Sequence, residues 1–183
     1  MSRILIYVVL FLVSLSAYSS NQHNKDGFPF AFSAGPIIKV NGFGDGVLAT
    51  LGGRINGSYG YLVFGLGGYG VVGQSNLKVS GLAENVSYSY GGLGLGVRLF
   101  PRSFIHITNY NTIGLGKLDL KNRGEGGLAY SIEPELNAEI DIFSVCRIGT
   151  GISYRWLFSD KVTPPAKELR GLGWQFFIEF GSI

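Results

Sequence analysis

The chain has 183 residues, enough for one domain or at most two. Only 15% of it is charged, against roughly 25% in ordinary soluble domains, while 29 Gly, 13 Phe and 10 Tyr displace helix-forming residues. The net charge of +3 is mild and no basic cluster among aromatics points to nucleic acid, while a single cysteine, Cys146, excludes an internal disulfide.

Arg3 and the apolar run Ile4–Leu15 open the chain, and Ala17-Tyr18-Ser19 offers small residues on both sides of a cleavage point. This pattern reads as a secretory signal peptide over residues 1–19, with the polar stretch Asn21–Gly27 as a loose leader to a domain spanning 20–183. Beyond residue 17 no run approaches the roughly 20 apolar residues of a membrane helix, so any spanning of a bilayer must use strands.

Alternation of apolar and polar residues marks those strands. Phe28, Phe30, Phe32 and Ile38 oppose Ala31, Ser33, Gly35 and Lys39. Next, Val47, Ala49, Leu51 and Ile55 oppose Thr50, Gly52 and Arg54, and Leu62, Phe64 and Leu66 oppose Gly65, Gly67 and Tyr69. Leu93, Leu95, Val97 and Leu99 oppose Gly92, Gly94, Gly96 and Arg98. In Ser103–Leu118, Ile105, Ile107, Ile113 and Leu115 oppose His106, Thr108, Tyr110 and Thr112, but Asn109 and Asn111 fall on the apolar face, so either a bulge shifts the phase or this strand does not follow the pattern. The last three stretches are the clearest. Leu128 to Ile140 alternates with Ser131, Glu133, Glu135, Asn137, Glu139 and Asp141. Cys146 to Trp156 alternates with Arg147, Ser153 and Arg155, and Leu172 to Phe180 with Gln175, Phe177 and Glu179.

Strands of this length exceed the usual ~5–6 residues and match the ~9–11 of a tilted membrane strand. Asn56-Gly57, Phe100–Ser103 and Asp141–Ser144 read as tight turns, and Asn41–Gly46, Gln74–Asn85, Asp119–Gly127 and Ser159–Leu169 as longer links. Short and long connections therefore alternate, as in an up-and-down barrel with short periplasmic turns and longer external loops. The fold expected is all-β: a closed antiparallel transmembrane barrel of about eight strands.

A soluble lipocalin-like barrel would alternate too, with its apolar face inward. Two features favour the opposite sense. Phe28, Phe30, Trp156, Trp174 and Phe180 lie near strand ends, as interfacial girdles do, and a glycine-rich face suits a narrow interior. The inner face would then carry Lys39, Arg54, Arg98, Arg147 and Arg155 against Glu133, Glu135, Glu139, Asp141 and Glu179. Equal numbers of each sign in a low-dielectric space imply a mutually paired network, and a barrel this narrow is filled by side chains rather than open as a pore.

The plan resembles the small eight-stranded outer-membrane proteins, such as the membrane domain of outer membrane protein A. Over roughly residues 88–183, several motifs are similar to an uncharacterised family of exported barrel proteins from Bacteroidetes-type bacteria. These are Tyr90-Gly91-Gly92, Leu99-Phe100-Pro101, Ile105-His106-Ile107-Thr108, Glu133-Pro134 with Glu139, Gly149-Thr150-Gly151 with Ser153-Tyr154-Arg155, and Leu172–Gly181. The resemblance implies an outer-membrane barrel and brings no activity. The chain departs from that family at Asn109 and Asn111, and it lacks a terminal aromatic residue.

Chemistry is sparse. A lipid A deacylase-like enzyme would use His106 and Thr108 on one face with Glu133 or Glu135 on the next strand, as base, nucleophile and orienting group. Thr108 stands where that class has Ser, and an inward site lacks lipid access, so His106 is expected in the interior network. Asp119 and Glu125 are too isolated for a metal site, and Gly65–Gly73 precedes no helix that would make a phosphate cradle. The sequence thus points to an outer-membrane barrel with a plugged, charge-paired lumen, no catalysis and no cofactor. Its partners would be outer-membrane lipid and an external ligand or protein at loops 74–85, 119–127 and 159–169, the last with Thr163-Pro164-Pro165. It would act as a monomer. A lipid-modifying enzyme and a narrow channel are the alternatives.

Overall fold

A computed structural model describes residues 30–43, 46–72, 75–79, 82–120, 125–159 and 170–182. It contains β1 (Phe30–Phe43), β2 (Gly46–Tyr59), β3 (Leu62–Val71), β4 (Ser75–Val79), β5 (Leu82–Leu99), β6 (Ile105–Leu120), β7 (Glu125–Phe143), β8 (Cys146–Phe158) and β9 (Gly171–Gly181). Each pairs antiparallel with its neighbours in the order β3-β2-β1-β9-β8-β7-β6-β5, and β3 pairs β5 to close the ring. Eight strands form the barrel; β4 pairs only the start of β5, making a hairpin beyond the end of β3. Closure leaves the eight ring strands without an open edge, so their backbone groups are satisfied without water.

Glycine permits the narrow bore. Gly94 lies under the Tyr110 ring and Gly149 under Phe177, and a Cβ at either position would overlap the aromatic ring. Tyr110 and Phe177 can therefore lie across the interior. Outside, Leu93 and Ile113 are each 67% exposed, whereas Lys39, Glu133 and Arg155 are 0% exposed. That contrast fixes the sense of the barrel: greasy side chains face outward and charges inward, the inverse of a soluble barrel. Phe30, Phe64, Tyr59, Tyr61, Phe100, Phe104, Phe143 and Phe180 ring the end that holds the short turns, and Trp156, Trp174, Phe158 and Tyr130 lie toward the other. Such aromatic bands suit both edges of a bilayer.

Several expected connections are displaced. The turn between β2 and β3 is Gly60-Tyr61, closed by the pair Tyr59↔Leu62, and not Asn56-Gly57. Gly60 supplies the positive φ of 59° that the turn needs, while Asn56 lies inside β2 with its amide buried in the lumen. Asn41–Gly46 is also short, because Phe43 already pairs Gly46. Gln74–Asn85 is largely the β4–β5 hairpin, and Asp119–Gly127 is taken up by β6 and β7, which run to Leu120 and from Glu125. The polarity of these segments made them look like loops. The last turn is Ser144-Val145, not Asp141–Ser144, and a register shift between Asp141 and Phe143 accommodates it.

β6 carries no bulge. Its register with both neighbours runs unbroken, so Asn109 and Asn111 do face outward. The ladder lapses instead beside two outward prolines. Pro36 lies in the gap between Ala34↔Phe180 and Ile37↔Phe177, and Pro134 in the gap between Ile132↔Trp156 and Glu135↔Ser153. A proline has no N–H to offer its neighbour. The signal and leader segments, Phe28 and Thr163-Pro164-Pro165 lie outside the described residues.

Candidate functional site

The barrel interior gathers the charged residues that alternation placed there. β7 supplies four of the acids in sequence, Glu133, Glu135, Glu139 and Asp141, β9 supplies Glu179, and β1, β2, β5 and β8 supply the cations facing them. Lys39 Nζ sits 2.6 Å from Glu135 and 3.2 Å from Glu133. Arg54 bridges Glu135 at 3.0 Å and Glu179 at 3.3 Å. Arg155 meets Glu133 at 3.0 Å and also donates to the Tyr90 hydroxyl at 2.6 Å, which donates on to Glu133 at 2.9 Å. This group holds three cations, Lys39, Arg54 and Arg155, and three acids, Glu133, Glu135 and Glu179. It is balanced by itself.

A second group lies nearer the short turns. Arg98 pairs with Glu139 at 3.2 Å, and Arg147 with Glu139 at 3.5 Å. The Arg147 guanidinium also grips Asp141 through Nε at 2.5 Å and Nη2 at 3.1 Å. Fork-to-carboxylate contacts of this kind fix orientation as well as charge. All ten predicted lumen residues are thus brought together, in two tiers.

Neutral groups add to the coordination of Glu133, Glu135 and Glu179. Ser33 and Asn56 donate to Glu179 at 2.8 and 2.7 Å, Gln175 to Glu135 at 2.8 Å, and Ser153 to Glu133 at 3.0 Å. Aromatic rings lie against the cations: Tyr69 at 4.5 Å from Lys39, Tyr110 at 4.5 Å from Arg54, and Tyr90 at 4.7 Å from Arg155. A buried ion pair is tolerable only when its remaining hydrogen-bonding capacity is met, and these groups do much of that. Sequence reasoning, looking for charge, passed over them as site residues. Their position on the same alternating face was the available signal.

The inner wall changes character toward the long-strand end. Leu48, Val86, Tyr88, Leu118, Leu120, Ala129 and Leu157 are buried together there, above stacked rings of Tyr88, Tyr90 and Tyr69 at centroid spacings of 5.0 and 4.7 Å. The interior is therefore polar for part of its height and apolar above that. This upper layer corrects the expectation of a wholly polar lumen. Outside, at the same level, stand Ser87, Ser89, Lys117 and Asp119, the last two paired at 3.1 Å.

His106 joins the lower tier. Its Nδ1 donates to the Phe100 carbonyl at 2.9 Å, and its Nε2 lies 2.7 Å from Asp141. Both ring nitrogens are engaged, leaving none to take a proton from Thr108, whose hydroxyl has no hydrogen-bond partner in the structure. Nor does Glu133 meet His106: it is committed to Lys39, Arg155, Tyr90 and Ser153 in the other tier. His106, Thr108 and Glu133 do not form a catalytic set. Among the described residues, no group of His, Cys, Asp and Glu is placed to hold a metal, and Asp119 is paired with Lys117. The side chain of Glu125 lies outside the described residues.

No protein-family model and no curated protein matches the sequence. Solved structures do. Neisserial surface protein A is similar with a TM-score of 0.54 at 11% identity, covering 84% of this chain and 97% of that one. Ail, the attachment invasion locus protein of Yersinia pestis, aligns with a TM-score of 0.48 at 11% identity, over 85% of this chain and 99% of its own. At such identity the first likeness speaks for the fold alone: a closed eight-stranded antiparallel barrel of the outer-membrane type.

Proposed function

We propose that this chain is exported by its N-terminal signal segment and resides in a bacterial outer membrane. There it would act as a plugged structural barrel that presents its tall wall outside the cell. One observation carries the reading: apolar side chains cover the outside, while the charges inside are buried and balanced within each tier. Such a surface is stable against hydrocarbon and unstable in water, and a lumen crossed by ion pairs, rings and an apolar layer disfavours conduction. β5, β6 and β7, at 18, 16 and 19 residues, outreach β3 and β9 at 10 and 11. At roughly 3.3 Å per residue β7 runs about 60 Å, well beyond the ~35 Å that a strand tilted by about 45° needs to cross an apolar band of about 25 Å. The excess would stand in water as a contact surface for an external ligand or protein. The name of the similar neisserial protein describes a surface protein, which accords with this placement. The motif resemblance over residues 88–183 to Bacteroidetes-type exported barrels belongs to the same reading.

Cell fractionation and heat-modifiable gel mobility test it. The protein should stay with membranes through an alkaline wash, and its unheated form should migrate apart from its boiled form. Recovery in the soluble fraction without detergent would end the proposal. Planar bilayers should stay silent, and lipid A mass spectra should be the same with native protein and with His106→Ala; conductance or an altered lipid A would favour the channel or the enzyme.

A further inference from the structure

The outward face of β6 reads Ile105, Ile107, Asn109, Asn111, Ile113, Leu115, with Lys117 and Asp119 beyond. The two asparagines therefore fall at the middle of an apolar row, halfway through the hydrocarbon in the reading proposed above, on which this inference rests. Their neighbours across the sheet are Val97 and Leu95 on β5, and Leu136 and Pro134 on β7. Among the described outward residues of that band, no other side-chain amide occurs.

Asn111 Nδ2 donates to Asn109 Oδ1 at 2.9 Å, and both side chains are exposed. One bond leaves most of the capacity of two amides unused. Asn109 keeps its NH2 group, and Asn111 keeps its carbonyl oxygen and a second N–H. Exchanging O and N in both amides leaves the same complement. Acyl chains can satisfy none of it, and polar side chains at mid-depth characteristically meet protein instead.

We infer that this face is the contact between two copies of the chain. An amide is self-complementary: a two-fold axis along the membrane normal keeps each residue at its own depth, so Asn109 meets Asn109 and Asn111 meets Asn111 of the second copy, and within each pair an unused N–H of one amide reaches the carbonyl oxygen of the other. That is the reciprocity an isologous interface requires. Copies inserted in one orientation are related by an axis along the membrane normal, so two tilted β6 strands cross rather than align. Convex walls then touch over a short stretch, and the asparagines occupy the midpoint of that strand. A second copy inserted the same way brings its own amides to the matching depth by symmetry, with no further chemistry required. The arrangement replaces the monomer expected from the sequence with a dimer.

Cysteine cross-linking of the full chain in lipid vesicles, at high dilution in lipid and on a Cys146→Ser background, tests this. Heat-modifiable mobility of each sample comes first, because a variant or native chain that is not embedded tells against the membrane reading rather than against the dimer. Asn109→Cys should give a disulfide-linked dimer under mild oxidant. Ile38→Cys, on β1, four strands away in either direction around the ring, should not. The Asn109→Leu/Asn111→Leu variant keeps the barrel, since it removes polarity from the lipid face. In labelled vesicles, its energy transfer between copies should show association weaker by roughly tenfold or more. Equal cross-linking at both cysteines, or undiminished transfer in the double-leucine variant, overturns the inference. So does an Asn109→Cys adduct in native membranes whose mass is that of a different protein.

Discussion

β6 obeys one period from end to end, yet its two ends are built in opposite senses. From Ile105 to Leu115 the apolar side chains outside face His106, Thr108, Tyr110 and Thr112 inside. From Lys117 to Leu120 the polar residues Lys117 and Asp119 are outside, and Leu118 and Leu120 are inside. β5 repeats the inversion: Leu93, Leu95 and Val97 point out in one part, and Val86 and Tyr88 point in at the other. The strand does not change; its surroundings do. In the proposed membrane placement hydrocarbon takes the outer face below the inversion and water takes it above, so the inner wall there must supply the apolar core that lipid no longer provides. The lower region is held by matched charges and the upper by close packing.

Substitutions can break that contrast, and the largest effects belong below. Glu135→Leu strips Lys39 and Arg54 of a shared carboxylate inside the bilayer span and should cost about 3–5 kcal/mol, read as a lower denaturant midpoint for the folded gel form. Leu95→Arg puts a cation in hydrocarbon at about 2–4 kcal/mol, whereas Ser89→Arg, beyond the inversion, should cost no more than about 1 kcal/mol. Equal penalties at those two sites would place the membrane boundary elsewhere. Leu118→Ala in the upper layer should lose about 2 kcal/mol through the cavity it leaves. The smallest effect is expected at the outer pair Lys117–Asp119. There Lys117 is 68% exposed, and Lys117→Ala should move the midpoint by less than about 0.5 kcal/mol.

Much of the lower region was legible in the sequence, because hydrocarbon outside and charge inside produce a two-residue rhythm with opposite chemistry on each face. The ten lumen residues were found that way, from Lys39 to Glu179. Their partition into two tiers was not, since pairing depends on how strands stagger around the ring. Glu135 reaches Lys39 across 96 positions and Arg54 across 81. The inversion was missed for a related reason. Ser87, Lys117 and Asp119 look like loop residues in a chain read for membrane strands, and Leu118 and Leu120 carry no mark of facing inward until both walls are in place. Asn56-Gly57 misled because an excellent turn dipeptide had a different use, an amide aimed at Glu179. Asn109 and Asn111 were noticed as a violation of phase; the structure keeps the phase and makes the violation real.

The seam between β1 and β9 joins the first and last strands of the ring. A chain emerging from a ribosome, or threading through a translocation pore, cannot complete that seam until its final segment has arrived. Until then β1 has no partner on its β9 side and the ring stays open. A chain cut short before residue 171 lacks β9, which leaves β1 and β8 each without a strand partner on that side and the eight-stranded ring unclosed.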